Sequence, residues 1–403
     1  MVQPVTSPRP NSPNGNQPNG VASARAPLSD YALVARLERQ LEDLRQEYAQ
    51  SQGLKRGKTD PFSTAARGFR RLVSLDVDAS ALQREADRRD ALEDEEDPAS
   101  VADQRGADRM YASYYILLDR VPEVSDALSK RDGTLAKVLK DVQLKGNTAR
   151  AEDFAKIKGL LASVLNAKPY ECKPPLNALN RTNRGLKHDV TGELLCPIEY
   201  DWDQPWVREI VWVGEPGFRI GGSYFYRVFY PAEGFDKADV TENFLLSPIL
   251  VQMYQAVFTA PSSMETDTPD DDDVEEPPTK KPFQQRGEGR RATRTNVATG
   301  LNMRGKVTPR SIAYIAVLVH LNLTDANAWV TVYIGINYMS LYNFIIDFFE
   351  DHDPTTAVGT LGLHLADNVL QWWNKKVFPN DVVDEPTDMA SREKLAAKAA
   401  TTE

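Results

Sequence analysis

Apolar residues in this chain of 403 residues gather in two blocks, roughly 106–259 and 306–380, and the stretches around and between them carry charge, proline and small polar residues instead. That distribution limits the fold more than any motif does. Within the blocks the apolar positions recur mostly at helical spacing. Neither block has enough other surface to cover its own stripes, so the two must bury them against each other. The expected fold is therefore mainly α: a single helical core with a small irregular, β-containing segment, plus disordered tails and a disordered insert.

In the first block, Met110, Tyr111, Tyr114, Tyr115 and Leu118 mark one helix, and Val124 and Leu128 a short one after Pro122. Leu135, Val138, Leu139 and Val142 mark a third. Thr148 reads as the cap of a fourth, with Phe154, Ile157, Leu161, Val164 and Leu165 on its buried face. Between 170 and 240 helical periodicity fades. Ile210–Val213 and Tyr224–Tyr230 carry β-favouring residues between Gly and Pro turns, which predicts loops with one or two short strands. Helix returns from Thr241. In the second block, Thr308 and Pro309 open a helix as cap and first-turn proline. Ala328–Ile336 is strand-like, Leu341–Phe348 helical, and a closing helix carries Trp373 and Val377.

The remaining segments read as disordered, apart from a charged linker with some helix in it. Residues 1–28 are a Pro/Asn/Ser/Gly tail, 52–105 a charged linker, 260–305 an insert with segregated charge, and 381–403 a polar tail. Residues 29–51 differ: Val34, Leu37, Leu41, Leu44 and Tyr48 alternate at spacings of three and four, the seam of a short coiled coil. That helix either pairs two chains or folds back on the core.

Net charge is −10, which argues against a protein that simply coats nucleic acid or an anionic membrane. No apolar run follows Met1, and the longest, Ile312–Leu321, is too short to span a bilayer. An intracellular location is expected. Within the insert, Lys280-Lys281 and Arg290-Arg291 resemble a bipartite nuclear import signal, which favours the nucleus over the cytoplasm; the same cations are candidates for phosphate contacts.

No phosphate-cradling Gly loop, Cys pair or His pair at metal-ligand spacing is present, so neither cofactor nor metal is expected. The one constellation with catalytic residue types is Lys187-His188-Asp189 near Glu193 and Cys196. It reads either as a nucleophilic set or as a polar loop with Cys196 buried as a small hydrophobe. Tyr200-Asp201-Trp202 beside Pro205-Trp206 reads as core aromatics or a binding lip.

Four separated segments carry a family resemblance. Gly185-Leu-Lys-His-Asp-Val-Thr-Gly-Glu-Leu-Leu-Cys-Pro-Ile-Glu-Tyr-Asp-Trp202, with Gly185, His188, Asp189, Gly192, Cys196, Pro197, Asp201 and Trp202 as its distinctive positions, resembles the signature of an uncharacterised domain family abundant in mushroom-forming fungi. Phe258–Ser263, Val307–Tyr314 and Gln371–Pro379 are similar to three further segments of it, in the same order. The chain departs from that pattern at Ala328–Ile336, where Trp-Val-Thr-Val-Tyr-Ile-Gly-Ile replaces a polar stretch. The resemblance implies a fungal, intracellular origin and no assigned reaction. Three functions stay open: a non-enzymatic protein-interaction module, nucleic-acid or chromatin association through the basic insert, and an enzyme centred on His188, Asp189 and Cys196.

Overall fold

The computed structural model describes residues 60–92, 101–215, 220–232, 234–259, 296–352 and 355–379. The coiled-coil seam, the Lys280-to-Arg291 cations and both tails lie outside them. The architecture is mainly α with one two-stranded antiparallel sheet.

Helix α1 (Pro61–Arg67) starts at Asp60, whose carboxylate accepts from the Ser63 amide, and runs through Gly68 into α2 (Phe69–Leu72). Then come α3 (Ala79–Asp90), α4 (Val101–Arg120), α5 (Pro122–Lys130) and α6 (Thr134–Asn166). The expected linker with some helix in it is instead part of the packed body. Phe69, Leu72, Val73, Leu75 and Leu82 are all buried, and so are Arg70 and Arg71. Dense charge hid a short apolar stripe, because the two arginines are themselves inside the protein.

The expected break near Thr148 does not occur. Helix α6 runs unbroken for 33 residues, about 50 Å at the α-helical rise. Thr148 donates its hydroxyl back to the Leu144 carbonyl at 2.9 Å instead of capping a new helix. Gly146 serves contact, not a turn: a Cβ there would sit 3.2 Å from atoms of both Phe69 and Arg70, so its absence lets α2 lie against the helix. The N-terminal half of α6 joins a cluster with Phe69, Leu82, Leu117 and Val121. Its C-terminal half, from Phe154 to Leu165, enters the main core.

Neither of the two β-favouring runs between 170 and 240 forms a strand. Ile210–Val213 belongs to α8 (Pro205–Val213), which follows the short α7 (Asp189–Leu194). Proline in its first turn and left-handed Gly214 at its end outweigh β-branching. Tyr224–Tyr230 contains a 3-10 turn at Arg227–Phe229, and its extended part makes only an isolated bridge between Tyr226 and Pro197. The next helix, α9 (Pro248–Phe258), starts later than Thr241 because Pro248 supplies the first-turn position.

Past 295, α10 (Val297–Gly300) puts Ala298, Leu301 and Met303 into the core, so the body begins ahead of the expected boundary at 306. Helix α11 (Pro309–Leu323) opens with a reciprocal capping box between Thr308 and Ser311. Every residue from Arg310 to Leu323 is buried. A helix with no polar face must be surrounded, and α2, α6, α9 and α12 (Tyr338–Glu350) pack around it. Strands β1 (Val332–Tyr333) and β2 (Ile336–Asn337) form a minimal hairpin ahead of α12.

Helix α13 (Ala357–Val377) closes the body: Trp373 donates from Nε1 to the Leu245 carbonyl at 3.0 Å, and Asn374 accepts the Val307 amide at 2.8 Å. The main buried cluster thus draws on residues from both sides of the 260–295 segment. Among the described residues no helix is long and apolar enough to cross a membrane.

Candidate functional site

The signature segment begins where the chain turns under the end of α11. Gly185 adopts φ +91 and donates its amide to the Leu323 carbonyl at 3.0 Å. Just before it lie Arg181 and Arg184, both buried. Arg181 donates from Nη2 to the carbonyls of Asn322 and Thr324 at 2.8 Å, and from Nη1 to Asn322 Oδ1 at 3.1 Å. Arg184 donates to the Asn322 and Asn177 carbonyls. Two guanidinium groups thus satisfy the open carbonyls of a buried helix terminus and complement its negative dipole end. Burial in the first place, then the neighbouring Arg184 charge, lowers Arg181 to about 10. Sequence reasoning passed over both residues; two arginines three apart, with no other charge between Pro174 and Leu186, were the available signal.

His188 precedes α7 and both of its ring nitrogens meet backbone. Nε2 lies 3.2 Å from the Pro174 carbonyl and Nδ1 3.4 Å from the Thr191 amide. An Nε2-protonated imidazole fits both, donating to the carbonyl and accepting the cap hydrogen bond. Asp189 is exposed and lies 3.6 Å from Arg208. Cys196 is fully buried in the core beside the Pro197–Tyr226 bridge, and desolvation pushes its thiol up to about 12. At neutral pH almost none is thiolate, the form a nucleophile needs. Cys172 is buried too and pushed up to about 11, again by burial first. Of the two readings of His188, Asp189 and Cys196, these positions match the polar loop: the three residues hold a turn, meet solvent and fill the core, respectively.

The remaining signature positions are architectural. A Cβ on Gly192 would lie 2.4 Å from the Leu186 carbonyl oxygen and 2.6 Å from the Trp202 ring, so only glycine lets the indole seat there. Trp202 is buried, with the Arg208 guanidinium 5.3 Å from its ring. Pro197 bridges to Tyr226, and the exposed Asp201 accepts the Gln204 amide through its carbonyl. Arg227 binds the segment from outside, donating to Glu193 and to the Tyr200 carbonyl.

That framework carries α8, and α8 is where the surface becomes unusual. Only Val207 and Val211 turn inward. Trp206 is 54% exposed, Trp212 40% and Val213 70%. Trp206 and Val213, seven apart, fall on one face of the helix. Trp212 is pinned by a 2.6 Å hydrogen bond from Nε1 to the Leu186 carbonyl, which fixes its ring while leaving much of it in water. The two tryptophans of the expected aromatic lip therefore divide, Trp202 to the core and Trp206 to the surface. Among the described residues no group of three or more His, Cys, Asp or Glu side chains is placed to hold a metal ion.

No curated protein and no solved structure matches the chain. A family model described as a family of unknown function (DUF6698) matches residues 145–378, from the middle of α6 to the end of α13. That span covers more than half of the sequence and all of the signature segment, and the chain belongs to the DUF6698 family.

Proposed function

We propose that the protein is a non-enzymatic interaction module whose helical body docks a protein partner on the outer face of α8. One observation carries this reading: Trp206, Trp212 and Val213 stand in water on a helix whose base is clamped by a buried framework. Aromatic anchors on a rigid base are what protein interfaces concentrate, since they bury large area at small cost in side-chain entropy. Of the residues with catalytic chemistry nearby, His188 holds a turn and Cys196 fills the core of that base, while Asp189 lies exposed beside Arg208. Self-association through Val34, Leu37, Leu41, Leu44 and Tyr48, and nuclear import through Lys280, Lys281, Arg290 and Arg291, belong to the same proposal and concern residues outside the described body.

Co-purification from the native cell tests it, comparing the full chain with the double variant Trp206→Ser, Val213→Asp. A defined partner recovered with the first and lost with the second, at unchanged melting temperature, supports the reading. An identical set of co-purified proteins would overturn it. Equal mass in light scattering with and without residues 29–51 removes self-association. Nuclear import falls if a tagged chain stays cytosolic whether or not the four cations are intact.

A further inference from the structure

A cavity of about 610 Å³ opens where α1, the α4–α5 junction and the 300–308 loop meet, far in sequence from α8. Arg120, Arg304 and Lys306 line it, against one carboxylate, Asp119. Asp119 lies 3.4 Å from Arg120 Nε and offsets that cation alone. Among the described residues neither Arg304 nor Lys306 meets a carboxylate, and both side chains are exposed. Thr308, the cap of α11, also stands in the wall, bringing the positive end of that helix dipole to the same space.

The loop is shaped around this space. Asn302 (φ +52), Arg304 (φ +53) and Gly305 (φ +67) are all left-handed, an arrangement that two of the three, being non-glycine, adopt only at a cost. The Asn302 carbonyl accepts from Arg120 Nη1 at 3.2 Å, which holds the loop and that guanidinium together. The amides of Met303 and Lys306 donate to Ala298 and Met303; those of Arg304 and Gly305 donate to no backbone carbonyl among the described residues. Amides in such a turn, beside cations, make an anion-binding concavity.

A second hollow of about 380 Å³ shares Leu72, Asp119, Arg120 and Thr308 with the first. Its further lining is Ile116, Pro309, Tyr115, which is 53% exposed, and the ion pair of Arg310 with Glu350 at 3.3 Å. The pair offers cationic lining in one chamber and, in the next, an apolar wall of Leu72, Ile116 and Tyr115 facing the paired charges of Arg310 and Glu350.

We infer that this double cavity binds an organic phosphate, its phosphoryl group held by Arg120, Arg304 and Lys306 and its apolar body lying against Leu72, Ile116 and Tyr115. Arginine matches phosphate oxygens through paired N–H donors, and the combined volume suits a small ligand. This site is independent of the α8 face and stands or falls without it.

Calorimetric titration of the full chain with phenyl phosphate, inorganic phosphate and phenol tests the assignment. Phenyl phosphate should bind one saturable site, more tightly than inorganic phosphate, with phenol giving no heat. The double variant Arg304→Gln, Lys306→Gln should weaken phenyl phosphate about tenfold or more, because two charge-assisted contacts are lost. Lys130→Gln, Lys137→Gln, which removes two exposed cations elsewhere, should leave binding unchanged. Melting curves confirm that each variant is folded. No saturable binding of either phosphate, or equal weakening by both double variants, would overturn the inference.

Discussion

Arg71 and Asp153 meet through two parallel hydrogen bonds of 2.7 Å, Nε to Oδ2 and Nη2 to Oδ1, although 82 positions separate them and both are buried. Tyr314, from the wholly buried α11, donates its hydroxyl to the same carboxylate at 2.8 Å. Burial alone would depress the Arg71 guanidinium, yet the hydrogen bond and charge of Asp153 reverse that and hold it above its ordinary value. Three helices thus converge on one carboxylate. Asp153→Ala leaves a cation stranded in the core and should cost about 3–5 kcal/mol in urea unfolding. The apolar pair Arg71→Met, Asp153→Leu should cost less than the single change, since no charge is left behind. A single-variant loss below about 1 kcal/mol would mean that the pair is open to water.

The same contacts predict where the smallest stable body ends. The family match starts at 145, inside α6, and leaves out the segment that Arg150 and Arg310 hold. Arg150 donates to the Leu75 carbonyl at 2.6 Å and to Asp76 at 2.8 Å; Arg310 reaches the Val73 carbonyl and the Ser113 hydroxyl. Expressed alone, residues 145–378 would expose the inner face of α6, strand Asp153 without Arg71, and strand Arg150 without Leu75 and Asp76. That fragment should bind hydrophobic dye and show no cooperative melting, whereas 60–379 should melt in one sharp transition. A cooperative transition from 145–378 would refute the argument.

The helices of both blocks were legible because their stripes are long and their caps strong, as at Thr308-Pro309. The 60–92 region was not, because its periodic positions include Arg70 and Arg71, and burial of paired cations leaves no hydrophobic mark on a sequence. The long α6 reads in sequence as two helices because Thr148 imitates a cap, and the approach of Phe69 explains Gly146 inside it. In the signature segment, sequence brought together His188, Asp189 and Cys196 by neighbourhood, while side-chain direction sent each to a different environment. Trp206 and Trp212 carry the proposed surface, yet apolar residues at the surface and in the core look alike until the partner helices are known.

His320 makes the fold sensitive to acid. It is fully buried, its ring 4.2 Å from that of Tyr226, with Nδ1 at 3.3 Å from the Tyr338 hydroxyl and, among the described residues, no hydrogen-bond partner for Nε2. Desolvation lowers it to about 3 from 6.5. The unfolded chain therefore takes up a proton near 6.5 that the folded chain refuses until about 3. Stability present above 6.5 is lost as pH falls through that window, at a limiting slope on the order of 1 kcal/mol per unit from this group. His320→Phe should flatten the fall in melting temperature between pH 6.5 and 4 relative to the parent. Parallel curves for the two proteins would show that His320 titrates freely.

The β1–β2 hairpin turns on Ile334 and Gly335, at φ +42 and +82, between the paired residues Tyr333 and Ile336. Two successive left-handed residues form the turn whose twist suits a two-residue hairpin, and asparagine followed by glycine is its favoured filling. Gly335 fits. Ile334 does not, because a β-branched side chain crowds the backbone there, and at 45% exposure it recovers little by burial. Ile334→Asn should thus stabilise the protein by about 1 kcal/mol, relieving the backbone without emptying the core. The expected gain in melting temperature is about 2–4 °C, with no change in the urea m-value. Ile334→Val, which keeps the branching, should gain nothing. If both substitutions destabilised the chain equally, the side chain of Ile334 would be holding a contact that outweighs the strain of its backbone.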